Sequence, residues 1–91
     1  MFNIALICTS FNRVKLTRKS LNSITKVLKN TKKINKFHFF MLDDNSEDLT
    51  NKFLTNFKNT SVLKSKGNLY WARGMRKCFN YFYSDSIKYD I

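Results

Sequence analysis

Polar side chains able to bind a ligand gather in three short segments of the chain. The first, residues 9–13, carries two hydroxyls, an aromatic ring, an amide and a guanidinium in succession. An aromatic face can stack on a nucleobase while hydroxyl and amide groups hydrogen-bond the edge of that base. The same residue types also build ordinary strand-to-helix turns, because Ser and Asn are frequent helix caps. This segment alone leaves both interpretations open.

Two adjacent carboxylates, Asp43 and Asp44, open the second segment and are followed by Asn45 and Ser46. Carboxylates after a strand could bind a metal, act as acid and base, or accept hydrogen bonds from a ribose or a base N–H. Neighbouring side chains at a strand end point in opposite directions, so only one can face a ligand and a paired acid and base is disfavoured. A helix-capping acidic turn is the structural alternative.

The third segment, residues 65–68, is a polar turn in which Gly67 and Asn68 can adopt positive φ angles. Each of the three segments follows a short apolar run typical of a strand buried in a parallel sheet. These predicted strands are residues 2–8, 37–42 and 61–64.

Helical periodicity separates the strands. Residues 14–29 have apolar side chains on one face and Lys and Arg on the other, which predicts an amphipathic helix. Asn45 or Ser46 can cap a second helix with an apolar stripe of Leu49, Phe53, Leu54 and Phe57. A third helix, ending near Ser86, has a stripe of Trp71, Met75, Cys78, Phe79 and Phe82, and residues 87–91 resemble the start of a fourth strand.

This βαβαβα order predicts an α/β fold with three layers: a small parallel sheet covered by helices, joined by right-handed crossovers. The carboxyl ends of parallel strands meet at one edge, where open α/β sheets bind ligands. We therefore expect residues 9–13, 43–46 and 65–68 to form one binding site. The 91 residues allow a single domain, residues 1–91.

The net charge of +11 favours an anionic partner, whether nucleic acid, a membrane surface or a phosphorylated substrate. Residues 13–36 contain nine basic residues and no acidic one. The apolar runs are too short to span a bilayer, and the first residues lack the pattern of a signal peptide. These features predict a cytoplasmic location, with the basic helix available for peripheral contact with the inner membrane face.

Several classes of site are excluded by pattern. The chain has neither the G-x-G-x-x-G of dinucleotide-binding domains nor the G-x-x-x-x-G-K-[ST] of P-loop proteins. No Ser/His/Asp or Cys/His nucleophile arrangement is evident, because His38, the only histidine, lies within a predicted strand. Cys8 and Cys78 lack metal-ligand spacing and suit buried thiols in a reducing compartment.

Three stretches in order, IALICTSFNR, FMLDDNSEDLT and GNLYWARGMRKCF, cover nearly the whole chain. Together they resemble the opening of family-2 glycosyltransferases of the GT-A fold, a Rossmann-like nucleotide-diphospho-sugar transferase fold. The third is similar to a stretch of bacterial members that add rhamnose or related sugars to polysaccharides. The resemblance implies the N-terminal nucleotide-binding half of an inverting transferase that uses a UDP- or dTDP-sugar donor and a carbohydrate or lipid-linked acceptor.

The resemblance also implies roles for particular residues. Thr9 and Phe11 would contact the base, and Asp44, beside Asp43, would accept the imide N–H of uracil or thymine, which cytosine lacks. Arg13 would neutralise the diphosphate. The remaining implied residues are Asn68 and Gly74, beside the ribose and phosphates, and Arg73 and Arg76, as phosphate ligands or solvated charges. Trp71 and Met75 are expected to pack the third helix.

The sequence departs from the family where chemistry would occur. Members hold a divalent metal, Mg or Mn, on an Asp-x-Asp or Asp-Asp element that ends the fourth strand, and a later carboxylate acts as base. That ligand motif is absent from this chain, which ends at Tyr89-Asp90-Ile91, and neither Asp85 nor Asp90 is assigned to it. We therefore expect a truncated domain, without catalytic residues of its own, that cannot transfer sugar alone. The alternative is a small basic nucleic-acid-binding module, which the core spacing of the aromatics disfavours.

Overall fold

The chain forms an α/β structure with a small open sheet, as expected. The computed structural model describes residues 2–89. Three strands, β1 (Phe2–Ser10), β2 (Ile34–Asp43) and β3 (Thr60–Lys64), form a parallel sheet in the order β1-β2-β3. The helices are α1 (Val14–Lys29), α2 (Thr50–Asn56), α3 (Tyr70–Tyr81) and α4 (Tyr83–Ser86).

The strand register brings all three strand ends to one edge of the sheet. Ser10 lies opposite Asp43, and Asp43 lies opposite Lys64. The segments after these residues therefore start side by side, which confirms the placement of the three polar loops at one edge.

One face of the sheet packs against α1 and α2. The buried core of this layer contains Leu21 from α1, Phe39 and Met41 from β2, and Leu54 from α2. Leu6 and Cys8 of β1 pack at its margin and are only partly buried. Burial of these side chains on folding is the main stabilising term, at about 25 cal/mol per Å² of apolar surface.

The opposite face packs against α3 and against Phe82, which follows α3. Phe40 and Leu42 of β2 contact Cys78 and Phe82 there, and all four side chains are buried. The Cys78 thiol donates to the Phe40 carbonyl oxygen over 3.2 Å. Burial, with a smaller effect of nearby Cys8, raises the pKa of Cys78 to about 12, so this thiol stays protonated in the folded chain.

Two sequence expectations about helix ends are wrong. The second helix begins at Thr50, after Leu49, rather than after Asn45 or Ser46, and the Asp48 carboxylate accepts the Thr50 N–H at its start. The third helix is interrupted at Phe82, and α4 follows it.

The expected fourth strand is also absent from the part of it that the structure describes. Residues 87–89 continue α4 as a hydrogen-bonded turn, in which the Ile87 N–H donates to the Tyr83 carbonyl and the Tyr89 N–H to the Ser86 carbonyl. Local turn bonds therefore satisfy this backbone in place of a strand partner. The last two residues of the predicted strand, Asp90 and Ile91, lie outside the described residues.

β1 departs from expectation in its burial. Its apolar run was predicted to be buried on both faces, yet residues 3–9 are only half-buried. The strand order accounts for this, since among residues 2–89 β2 is the one strand that pairs with β1. Among residues 2–89, no helix is long and apolar enough to cross a membrane.

Candidate functional site

The first two loops are held together by hydrogen bonds. The Asp44 N–H donates to the Ser10 carbonyl oxygen over 2.9 Å, and the Asn12 N–H donates to the Ser46 hydroxyl over the same distance. The Asn12 side-chain oxygen accepts the Glu47 N–H at 2.6 Å. Asn12 reaches across with a φ of 45°, a left-handed conformation that Asn tolerates better than most residues.

Asp44 holds the third loop against the second. Its carboxylate accepts the Ser65 hydroxyl at 2.7 Å, the Leu69 N–H at 3.1 Å and the Tyr70 N–H at 3.2 Å. The last two N–H groups lie at the start of α3, where backbone donors have no partner within the helix. Asp44 therefore fixes both the loop and the N-terminus of α3.

Asp48 connects the N-termini of two helices. Its carboxylate accepts the Val14 N–H at the start of α1 (3.2 Å) and the Thr50 N–H at the start of α2 (2.9 Å), together with the Thr50 hydroxyl. Hydrogen bonding from the Thr50 side chain, followed by backbone N–H donors, lowers the pKa of the Asp48 carboxyl. A negative charge here also complements the positive ends of both helix dipoles.

The three loops border a cavity of about 770 Å³, which we call the loop cavity. We call the polar side chains that the three loop segments contribute to its lining the polar wall, and the apolar side chains from β1, β2 and α1 the apolar wall. The polar wall includes Thr9, Ser10, Arg13, Asp44, Asn45, Glu47, Lys66 and Asn68, and the apolar wall includes Cys8, Leu16, Leu21, Ile24 and Met41. A volume of this size lies within the range of small-molecule and cofactor sites.

Five of the eight residues predicted for the site line the loop cavity, namely Thr9, Phe11, Arg13, Asp44 and Asn68. Gly74 is buried directly behind Thr9, where an added Cβ would come within 2.8 Å of the Thr9 methyl carbon. Gly74 thus supports the wall of the cavity rather than lining it.

Asp43 and Arg73 do not line the loop cavity. The Asp43 side chain is fully buried; its Oδ1 accepts the Ser46 N–H at 3.1 Å, while its Oδ2 has no partner among the described residues. The alternation along the strand end, which predicted that only one carboxylate of the pair would face a ligand, is confirmed by this arrangement. Arg73 is exposed on α3, as is Arg76.

Trp71 corrects an expectation from helical spacing. It was predicted to pack α3 against the core, but its side chain is 73% exposed and lines the loop cavity. Trp71 lies in the first turn of α3, directly after the loop that borders the cavity with Lys66, Gly67 and Asn68. The buried residues of α3 are instead Gly74 and Cys78, and Phe82 is buried directly after the helix.

Sequence reasoning also missed Lys66 and Tyr70 as cavity residues. Lys66 lies in a loop already assigned to the site, so its position was a usable signal. No feature of the sequence indicated Tyr70. In the structure it has a φ of 56°, which is unusual for a bulky side chain, and its ring is 71% exposed. Strained backbone of this kind is concentrated at binding sites.

The charged groups around the loop cavity are mixed, with Arg13 and Lys66 as cations and Asp44 and Glu47 as anions. Cys8 lines the apolar wall, and burial raises the pKa of its thiol, which argues against a reactive thiolate. Within residues 2–89, no group of three or more His, Cys, Asp or Glu side chains is arranged to hold a metal ion. The described residues therefore do not fit a metal centre.

Comparison with known proteins yields no relative: no protein-family model, no curated protein and no solved structure matches the chain.

Proposed function

We propose that this chain recognises the nucleotide of a UDP- or dTDP-sugar, as the donor-binding segment of a family-2 glycosyltransferase of the GT-A type that makes polysaccharide or other glycoconjugates. The observation that carries the proposal is the meeting of Thr9, Phe11 and Asp44 in one cavity. These residues come from loops separated by more than thirty positions in the chain. They are the residues that the family resemblance assigns to the base.

Asp44 supplies the means of selecting a base. The Asp44 carboxylate accepts the Ser65 hydroxyl on Oδ1 and the Tyr70 N–H on Oδ2, and the Leu69 N–H is shared between its two oxygens. The imide N–H of uracil or thymine, which cytosine lacks, would take the place of the longer Leu69 contact, 3.3 Å to Oδ1. Asp44 is only 6% exposed, so an added hydrogen bond would be sheltered from water.

Aromatic rings at the mouth of the cavity supply stacking. Phe11 is 53% exposed and Trp71 is 73% exposed, although both line the loop cavity. Large apolar side chains in such positions have surface to bury against a ligand. Base stacking on an aromatic ring contributes about 1–3 kcal/mol per base.

Two cations are available for the diphosphate. Arg13 ends the first loop and Lys66 lies in the third, and both line the loop cavity. An Arg guanidinium can bind phosphate oxygens in bidentate fashion, whereas a Lys ammonium acts as a point charge. The Mg or Mn ion that the resemblance implies has no ligand set among the described residues. The proposed role of this chain is therefore donor recognition alone, without a sugar-transfer step.

Isothermal titration with UDP, dTDP and CDP tests the proposal. We expect UDP and dTDP to bind and CDP to bind about tenfold or more weakly, because cytosine has no imide N–H to donate to Asp44. Asp44→Ala should reduce the preference for UDP over CDP. If Asp44 had a purely structural role, Asp44→Ala would weaken the binding of UDP and CDP equally and leave the preference unchanged.

Asp43→Asn is the matched control, since Asp43 is the adjacent carboxylate and does not line the loop cavity. It should leave the UDP preference intact. Absence of UDP and dTDP binding by the wild-type chain, or an unchanged preference after Asp44→Ala, would contradict the proposal.

Binding of single-stranded nucleic acid is the second candidate. Exposed Phe11, Tyr70 and Trp71 lie around one cavity beside Arg13 and Lys66, an arrangement that combines stacking surfaces with positive charge. The net charge of +11 adds non-specific attraction. This candidate predicts affinity for oligonucleotides that falls steeply with salt concentration and shows no preference among UDP, dTDP and CDP.

A further inference from the structure

A second cavity, of about 310 Å³, is bordered by α1 and α2, and we call it the helix groove. Its lining side chains come from α1, from α2 and from the two residues that flank α2, and they are Arg18, Leu49, Lys52, Phe53, Asn56 and Phe57. None of them lines the loop cavity, so the two cavities are separate. A volume at the lower end of the range for ligand sites suits one large side chain better than a whole cofactor.

Two aromatic rings form the apolar part of the helix groove. The ring centroids of Phe53 and Phe57 lie 5.1 Å apart with their planes inclined at 44°. Both rings pack against the buried core beneath α1 and α2, and Phe57 meets the fully buried ring of Phe39 edge to face at 6.0 Å. The core therefore holds these rings in place before any ligand binds, which lowers the cost of ordering them on binding. A third ring could pack on them in an offset or edge-to-face arrangement.

Two cations from different helices stand beside these rings. The guanidinium carbon of Arg18 lies 5.2 Å from the centroid of the Phe53 ring, a cation–π contact that positions the charge at the groove. Lys52 contributes an ammonium group from α2. Within residues 2–89 neither side chain forms an ion pair. Asp48, the acidic residue nearest to Lys52 in sequence, does not line the groove, and its carboxylate accepts backbone N–H groups of α1 and α2. The positive charge at the groove is therefore available to carboxylates of a ligand.

The remaining two lining residues offer further contacts. Leu49 is 65% exposed and provides apolar surface at the groove. The Asn56 amide nitrogen donates to the Lys52 carbonyl oxygen over 2.9 Å, whereas its side-chain oxygen accepts no hydrogen bond from the described residues. That oxygen can accept the backbone N–H of a bound peptide, a donor that lipid acyl chains lack.

We infer that the helix groove binds an acidic segment of a partner protein, which inserts one aromatic side chain onto the two rings and places carboxylates beside the two cations. The inference does not depend on the proposed nucleotide site, because the two cavities share no residue. Complementary charge favours this partner: the chain has a net charge of +11, so an acidic segment is attracted to it.

A second copy of the chain does not fit this description. Two copies with a net charge of +11 each would repel one another. Four of the six acidic residues lie within residues 43–48, where Asp43, Asp44 and Asp48 already accept hydrogen bonds inside the fold. A membrane surface fits less well than a peptide, because interfacial helices insert an apolar face into the lipid, whereas the helix groove is a recess that receives a side chain.

A synthetic peptide tests this inference. The probe is a fluorescein-labelled peptide in which one Trp stands between two pairs of Glu, and its binding is followed by fluorescence anisotropy. The control peptide has Ala in place of Trp and the same charge. At about 0.15 M salt, where attraction between distant charges is screened, we expect the control to bind about tenfold or more weakly. The reason is that an aromatic anchor in a preformed pocket supplies much of the affinity of such interfaces.

The double variant Arg18→Gln/Lys52→Gln tests the groove from the protein side. Its matched control is Lys26→Gln/Lys77→Gln, which lowers the net charge equally at exposed residues that line neither cavity. We expect the groove variant to bind the Trp peptide about tenfold more weakly than the control variant, with both folded by circular dichroism. Each lost charge-assisted contact at the surface contributes about threefold to this difference.

Three results would overturn the inference. Equal affinity of the wild type for the Trp and Ala peptides would mean that charge alone attracts them, and this comparison stands even if a variant fails to fold. Equal affinity of the two double variants for the Trp peptide would exclude the helix groove as its site. Binding to phosphatidylserine vesicles that the groove variant loses, without binding of the Trp peptide, would identify the partner as a lipid surface.

Discussion

The methyl carbon of Thr9 lies where a side chain on Gly74 would begin: a Cβ at residue 74 would come within 2.8 Å of it. Strand β1 and helix α3 therefore approach closely at one point, directly behind the polar wall of the loop cavity. Glycine at 74 is required by this contact and not by backbone angle, since no positive φ occurs there.

Gly74→Ala should destabilise the chain, although alanine favours a helix over glycine by about 1 kcal/mol. Overpacking at a close contact costs about 1–3 kcal/mol, so a net loss is expected. Thr9→Ser removes the methyl carbon, and in that background Gly74→Ala should become neutral or stabilising. Urea unfolding of the four proteins in this double-mutant cycle measures the coupling. Additive effects would mean that α3 does not approach β1 this closely.

Asp48 should make stability depend on acid pH. Hydrogen bonds from Thr50 and backbone N–H groups lower its carboxyl pKa below the usual 3.8. A depressed folded-state pKa means that the stabilisation is complete above the unfolded-state pKa and is lost as pH falls through the folded-state value. Below about pH 4, the urea midpoint of the wild type should therefore decrease more steeply with falling pH than the midpoint of Asp48→Ala.

Glu47→Ala is the control for Asp48, because the Glu47 contact to the first loop is made by its backbone N–H. The urea midpoint of Glu47→Ala should change with acid pH as the midpoint of the wild type does. If the urea midpoints of the wild type and of Asp48→Ala changed with pH in parallel, the Asp48 hydrogen bonds to α1 and α2 would contribute nothing to the acid sensitivity of folding.

The parts of the fold that sequence predicted well are those decided by local pattern. Helix α1 has the predicted bounds, Val14–Lys29, because its apolar periodicity extends over four turns. Gly67 and Asn68 have the predicted positive φ angles, 106° and 62°. Both features depend on residues close in sequence, so no tertiary information was needed.

The misses depend on contacts between distant segments. The start of α2 was placed too early because Asp48 also binds Val14, thirty-four positions away, and no local pattern encodes that bridge. Trp71 has correct spacing for a core residue, yet only the position of α3 relative to the sheet edge decides whether its first turn reaches the core. For the same reason Arg73, two residues further on, was included in the site although it lies outside the loop cavity.

Tyr70 should store backbone strain beside the loop cavity. Its φ of 56° costs a residue with a Cβ about 1–2 kcal/mol, and glycine avoids that cost. Tyr70→Gly should therefore be about 1 kcal/mol more stable than Tyr70→Ala, the reverse of the usual order in a helix. Thermal or urea unfolding of this pair isolates the strain, since both variants lack the ring. A more stable alanine variant would mean that residue 70 has an ordinary helical φ.

Trp71 should report occupancy of the loop cavity, because it is the only tryptophan in the chain and lines that cavity while 73% exposed. UDP should change its emission, and CDP should do so only at higher concentration. If the indole stacks on the base, Trp71→Ala should weaken UDP binding by about 1–3 kcal/mol. Tyr81→Ala is the matched control, since Tyr81 is an exposed aromatic residue on the same helix that does not line the cavity. Equal loss of affinity in both variants would show that Trp71 acts through the stability of α3, whereas loss in Trp71→Ala alone would identify it as part of the nucleotide site.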